Sequence, residues 1–210
     1  MCFWGLEEAN TEKSFEVTVL KDHFTIRTVS KALNAIKVPS SKTLYTGKVT
    51  HTARITPKYP KNFTSILKKA GVNLKSVTFS SNGKKIAPVT EKGTVTGLKA
   101  GKATITTTIT LSNGQTKKLK TKISVQRPYL DISGKTSVKS GRTITLKVKK
   151  YGVSGTAQWS VNKTRIATIN KRNGKLKGKR AGSATVTVKV GSCKKTCKVR
   201  VKRAREAQDD

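Results

Sequence analysis

Groups able to do acid–base chemistry are nearly missing from the body of this chain. Between His23 and Arg205 the carboxylates are Glu91 and Asp131, and the histidines are His23 and His51. General acid–base catalysis needs at least one positioned carboxylate or imidazole beside the reacting atom, and paired carboxylates cannot be assembled from this supply. A Ser/His/carboxylate triad would require free choice among many serines, with no nucleophile elbow to single one out. No catalytic residue is therefore assigned. Calcium needs several oxygen ligands with carboxylates among them, and zinc would need two ligands beyond Cys193 and Cys197, so no metal site and no cofactor are expected either.

Cys193 and Cys197 fall in Gly191-Ser-Cys-Lys-Lys-Thr-Cys197. Four residues apart on an unbroken strand, their Cα atoms would stand about 13 Å from each other, beyond disulfide reach. A tight turn between them could close that gap. The preferred reading makes Cys197 a small core residue in phase with Val199 and Val201.

Charge is the second chemical signal: 45 basic against 10 acidic residues give a net charge of +35. Such a surplus attracts polyanions, and the attraction falls steeply with salt. Lysine dominates and recurs through strands and turns, whereas base readout favours Arg, Asn and Gln in a groove and single-strand binding favours aromatic platforms. The expected polyanion is a wall teichoic acid or anionic surface glycan if the protein is exported, and nucleic acid, bound nonspecifically at low salt, if it is not. Equally weighted stands the reading that the lysines keep a Thr-rich β-protein soluble and its strand edges unpaired. No apolar run approaches the length of a membrane span, so membrane insertion is not expected.

The elements that carry these groups come in two copies. Gly93-Thr-Val-Thr-Gly97-Leu-Lys-Ala100-Gly101-Lys-Ala103-Thr-Ile-Thr106 is answered by Gly174-Lys-Leu-Lys-Gly178-Lys-Arg-Ala181-Gly182-Ser-Ala184-Thr-Val-Thr187. Upstream, Phe79-Ser-Ser-Asn82 with Ile86-Ala87 answers Trp159-Ser-Val-Asn162 with Ile166-Ala167, and Gly47 answers Gly141. Self-similarity at this spacing marks a duplicated module. Apolar residues alternate with Thr and Lys at period 2, and glycine-bearing turns such as Asn113-Gly114 and Asn173-Gly174 punctuate them, which reads as short strands of a β-sandwich. Phe79 and Trp159 are expected as the core centrepieces of their copies. The Gly-rich phrase precedes Thr-rich strand instead of opening a helix, so it is no phosphate loop.

The copies differ in one place. Gly47 and Gly141 stand 94 positions apart while Phe79 and Trp159 stand 80 apart, so the first copy holds about 14 extra residues near Pro57–Lys75. Within them Ser65–Gly71 predicts one or two helical turns ended by a glycine cap. The stretch is either a tolerated surface insertion or a binding loop, and as a binding loop it would act through Lys58, Lys61, Lys68, Lys69 and Lys75.

The order Leu-x-x-Gly, aromatic-Ser-x-Asn, Ile-Ala, then Gly-x-Val/Leu-x-Gly-x-x-Ala-Gly-x-Ala-Thr-Ile/Val-Thr resembles the bacterial immunoglobulin-like domain, group 2, in both copies. The resemblance covers most of residues 32–203. It implies an all-β chain of two tandem immunoglobulin-like β-sandwiches, at 32–126 and 127–203, of the kind strung along bacterial and sometimes phage surface proteins. Adhesins of the invasin and intimin type are among these, and the lysine-heavy version resembles domains on cell-wall proteins. Departures are Phe79, where the family favours Trp, and the insertion. An extracellular or cell-surface location follows by resemblance, with surface glycans, host proteins or wall polyanions as partners.

Residues 1–31 fit least well. Their start lacks a basic leader followed by an apolar core, so it does not read as a secretory signal. Phe15–Val19 and Phe24–Val29 alternate like strands and are expected as a last hairpin of a preceding, truncated repeat. Residues 204–210 read as a frayed tail. Two functions remain: a noncatalytic structural and adhesive module, or a lysine-rich polyanion binder.

Overall fold

The computed structural model describes residues 23–47 and 49–204. Contacts divide these into two compact units. The first takes the described residues up to Thr43 with Thr52–Thr96 and Lys102–Ser124, and the second takes Leu44–His51, Gly97–Gly101 and the described residues from Val125 on.

In the second unit the period-2 pattern becomes nine strands: β7 (Tyr129–Ser133), β8 (Ser137–Lys139), β9 (Thr143–Thr145), β10 (Lys147–Tyr151), β11 (Gln158–Val161), β12 (Ala167–Ile169), β13 (Lys175–Gly178), β14 (Gly182–Val190) and β15 (Cys193–Lys202). They form sheets β11-β14-β15-β8, β12-β13-β9 and β10-β7. Hairpin β14–β15 pairs Gly182 with Val201 through Val190 with Cys193, while β8 joins β15 in parallel at Ser137–Arg200, Val138–Val201 and Lys139–Lys202. Alternation then turns Ala184, Val186, Val188 and Val190 inward, with Val199 and Val201 from β15. Their core also takes Trp159, Leu176, Ala167, Val138 and Leu146, which closes one sheet over another as a sandwich.

The first repeat supplies β1 (Ser41–Tyr45), β2 (Thr52–Arg54), β3 (Leu74–Ser81), β4 (Thr94–Thr96), β5 (Gly101–Leu111) and β6 (Thr116–Gln126), in sheets β1-β6-β5-β3 and β2-β4. On β5 the inward set is Ala103, Ile105, Thr107, Ile109 and Leu111, and on β6 it is Thr121, Ile123 and Val125.

Two helices add a second core to the first unit. Residues 23–34 are helical (α1), which overturns the expectation of a strand at Phe24–Val29. The reason is periodicity: Val29, Ala32, Leu33 and Ile36 are buried at helical spacing, while Phe24 and Ile26, which the alternating pattern would turn inward, are 71% and 55% exposed. The buried set packs against Phe63, Leu67, Val72, Ile109 and Leu111. Polar ties hold the helix to the β5–β6 hairpin: Gln115 Nε2 donates to Ser30 Oγ at 2.7 Å and Lys117 Nζ to Asn34 Oδ1 at 2.8 Å. The companion expectation of a strand at Phe15–Val19 lies outside the described residues.

The second helix, α2 (Phe63–Lys69), sits inside the insertion, where one or two helical turns were expected. Its end is a Schellman motif. Val72 N–H donates to Leu67 O at 2.9 Å, Gly71 N–H donates to Lys68 O at 3.2 Å, and Gly71 takes φ +64°. Lys68 and Lys69 occupy the last turn, where cations suit the helix dipole.

Candidate functional site

The residues that the copies share are occupied in building the fold. Asn82 Oδ1 accepts from Thr104 N–H at 2.7 Å, and Asn162 Oδ1 accepts from Thr185 N–H at 2.8 Å. Each asparagine thus clips the end of the aromatic strand to the long strand beside it. The turn glycines meet the aromatic rings: a Cβ on Gly93, at φ +77°, would lie 2.8 Å from Phe79 Cζ, and one on Gly174, at φ +71°, would lie 3.1 Å from Trp159 Cε2. Ring and glycine therefore fit as a pair in both copies. Trp159 is 3% exposed within its core, whereas Phe79 is half-buried.

The insertion is where the copies diverge, and it opens a groove of about 490 Å³ lined by Tyr59, Pro60, Phe63, Leu67, Val72 and Leu74. The chain brings these together because α2 buries Phe63 and Leu67 while the Schellman turn folds Val72 and Leu74 back along it. Tyr59 stacks on Phe63 with ring centroids 5.0 Å apart, and it stays 39% exposed, as Leu74 stays 42%. Partial burial pushes the Tyr59 phenol above its ordinary pKa of 10.0. Of the five lysines singled out by sequence, Lys68 lines this groove and Lys69 lines a smaller one, beside Phe24, Val29 and Ile66. Lys58, Lys61 and Lys75 are exposed and line neither. Lys58 is held by its backbone in a bridge to Lys37, with N···O distances of 2.8 and 3.1 Å.

The profile of the bacterial Ig-like domain (group 2) matches residues 46–123 and again 129–200. The chain belongs to this family. It carries two tandem group-2 Ig-like domains in an all-β fold. Among solved structures, the surface layer protein SbsC, domains 4–9, is 20% identical over 82% of this chain and 30% of that one, with a TM-score of 0.43. A C-terminal 282-residue fragment of intimin, in complex with the intimin-binding domain of the translocated intimin receptor, is 17% identical over 71% of this chain and 57% of that one, TM-score 0.30. Mouse cadherin-23 EC22–24 is 12% identical over 82% and 66%, TM-score 0.28. This chain therefore spans less than a third of the SbsC chain and about two thirds of the cadherin one. No curated protein sequence matches it.

Within the two Ig-like domains the scarce acids fall one in each unit, both exposed. Asp131 Oδ1 accepts from Ile132 N–H at 2.9 Å, a local contact within β7. Among the described residues no group of His, Cys, Asp and Glu gathers into a metal-binding set, and no helix is long and apolar enough to cross a membrane. Cys193 and Cys197 are both free; they share β15, with Cys197 opposite Val186 and packed at the core margin, where burial raises its thiol pKa above 9.0. Sequence reasoning did not single out the apolar wall of the insertion groove. The available signal was Tyr59 and Phe63 four residues apart around Pro60, just before a helix ending at a Gly71 cap.

Proposed function

We propose that this chain is a noncatalytic module of a bacterial surface or cell-wall protein, in which two Ig-like domains space and present a contact surface. The observation that carries the reading is that the residues repeated between the copies are absorbed by the fold: asparagine clips, and turn glycines fitted against the aromatic rings. Function is thereby left to surfaces, and fold by itself does not choose one. The recognition surface we assign to the insertion is the groove that Lys68 lines. Its apolar wall and the Lys68 ammonium suit a partner, protein or glycan, that presents an apolar group beside an anionic one.

Labelling of intact cells of the source bacterium with an antibody against the folded chain tests the location. Signal on unbroken cells is expected, and signal confined to lysed cells would end the surface reading. Loss of partner or surface attachment on Tyr59→Ala/Leu74→Ala, with the melting profile unchanged, is expected for the groove; full attachment of that variant would reduce the chain to a spacer.

A further inference from the structure

Exposed lysines stand on several strands of the second unit, among them Lys147 and Lys149 of β10 and Lys175 and Lys177 of β13, and one strand carries a continuous row of cations. In the second unit the outward positions of β15 read Lys194, Thr196, Lys198, Arg200 and Lys202, all exposed. Register sets them beside the outward hydroxyls of β14: Lys198 opposite Thr185, Arg200 opposite Ser183, Thr196 opposite Thr187, with Lys189 opposite Lys194. On the other flank Lys139 of β8 pairs with Lys202. The outer surface of sheet β11-β14-β15-β8 is completed by Gln158 and Ser160, so it carries six cations, a row of hydroxyls and no carboxylate.

Edge protection accounts for only part of this row. Cations that guard a sheet against pairing with other chains belong on its edge strands. Here the edge strand β11 has Gln158 and Ser160 outward, the edge strand β8 carries Lys139, and β15, which holds most of the cations, is paired on both sides only at Arg200–Lys202. The first unit repeats the arrangement by itself: Lys118, Lys120 and Lys122 stand exposed on consecutive outward positions of β6, an interior strand, and the outward positions of its neighbour β5 beyond Lys102 are threonines. Lys122 there lines a shallow cleft of about 620 Å³ with Lys42, Lys102 and Asn82. Both copies thus carry cations on the corresponding strand, β6 or β15, and hydroxyls on the one beside it.

Successive outward residues on a strand lie about 6.6–6.8 Å apart, and neighbouring strands about 4.8 Å. Like charges at that spacing repel, and a linear polymer with an anion at each short repeat relieves the repulsion along the whole row. We propose that the outer face of β14–β15 is a track for an extended phosphodiester polymer, held by Lys194, Lys198, Arg200 and Lys202 with the Ser183 and Thr185 hydroxyls donating to phosphate oxygens. No aromatic side chain stands on this face, since Trp159 is turned into the core. Bases therefore have nothing to stack on, and the polymer is recognised through its phosphates. The track goes beyond the spacer function and does not depend on it.

The test uses the full chain with two fluorescent probes of equal phosphate number, an oligo(glycerol phosphate) and an oligothymidylate, titrated across salt by anisotropy. Both probes are expected to bind within a few-fold of each other, with log K falling linearly in log salt by about 0.7 per phosphate engaged. Lys198→Gln/Arg200→Gln should weaken both by about tenfold or more and flatten the slope by about 1.4. Lys84→Gln/Lys85→Gln, an exposed loop pair in the first unit with the same change in net charge, should keep the original slope. Equal losses in the two variants, or binding of the thymidylate alone, would overturn the track. Lys194→Gln/Lys202→Gln provides a second variant on the same row should the first alter the melt.

Discussion

Thr107→Val should stabilise the first unit. Thr107 sits between Ile105 and Ile109 on the inward face of β5 with no exposed surface, and its Oγ1 has no hydrogen-bond partner among the described residues. In the second copy the position that follows the shared phrase, as Thr107 does in the first, is Val188, equally buried. A hydroxyl buried without a partner costs about 1–3 kcal/mol by mutational data, and valine matches threonine in shape, so the exchange opens no cavity. Taking the lower end, a gain of about 1 kcal/mol would raise the midpoint of a domain this size by about 4–8 °C. Differential scanning calorimetry of the full chain would show the first unit's transition moving up and the second's staying put. An unmoved or lowered first transition would mean that Oγ1 has a partner in solution, such as an internal water, and that the burial argument is wrong here.

Other outcomes follow from the packing. Leu33→Ala should cost the first unit about 2–5 kcal/mol in denaturant titrations, because α1 is part of its core, whereas Ile26→Ala on the exposed side should be nearly silent. Equal effects would detach the helix from the fold. Gly174→Ala should destabilise the second unit by about 2 kcal/mol or more, since the residue combines a positive φ with a Cβ aimed at Leu146 O and the Trp159 ring; a melt within a degree of the parent would refute the pairing of glycine and ring.

The strands were legible because their side-chain period is 2 over long stretches: the alternation of β14 and β15 in the sequence is the alternation found in burial. The duplication was legible because identical backbone demands, such as the turn at Asn173-Gly174, recur with identical residues. What failed was the segment around Phe24. A short window there alternates as well as a strand does, and the helical set Val29, Ala32, Leu33 and Ile36 only emerges over a longer one that crosses the expected boundary at residue 32. The insertion groove could not be read because its wall joins residues from before, within and after α2. Lysine positions were visible, yet which lie side by side depends on strand register, and register is a property of pairing between distant segments.

The parallel pairing of β8 with β15 has a mechanical consequence. One strand lies near the start of the second domain and the other at its end, and they are joined through Arg200 N–H to Thr136 O and Ser140 N–H to Lys202 O, both at 2.8 Å. Tension applied through the two chain ends of that domain loads β7 first, and once its bonds to β10 give way it drags β8 and β15 in opposite directions along their own axes. The connecting bonds are then sheared together, whereas pulling open the β14–β15 hairpin would unzip them singly. A domain strung in a surface polypeptide under flow or traction is loaded in the first way, so its rupture force in an optical trap should exceed that of the same domain pulled across the hairpin.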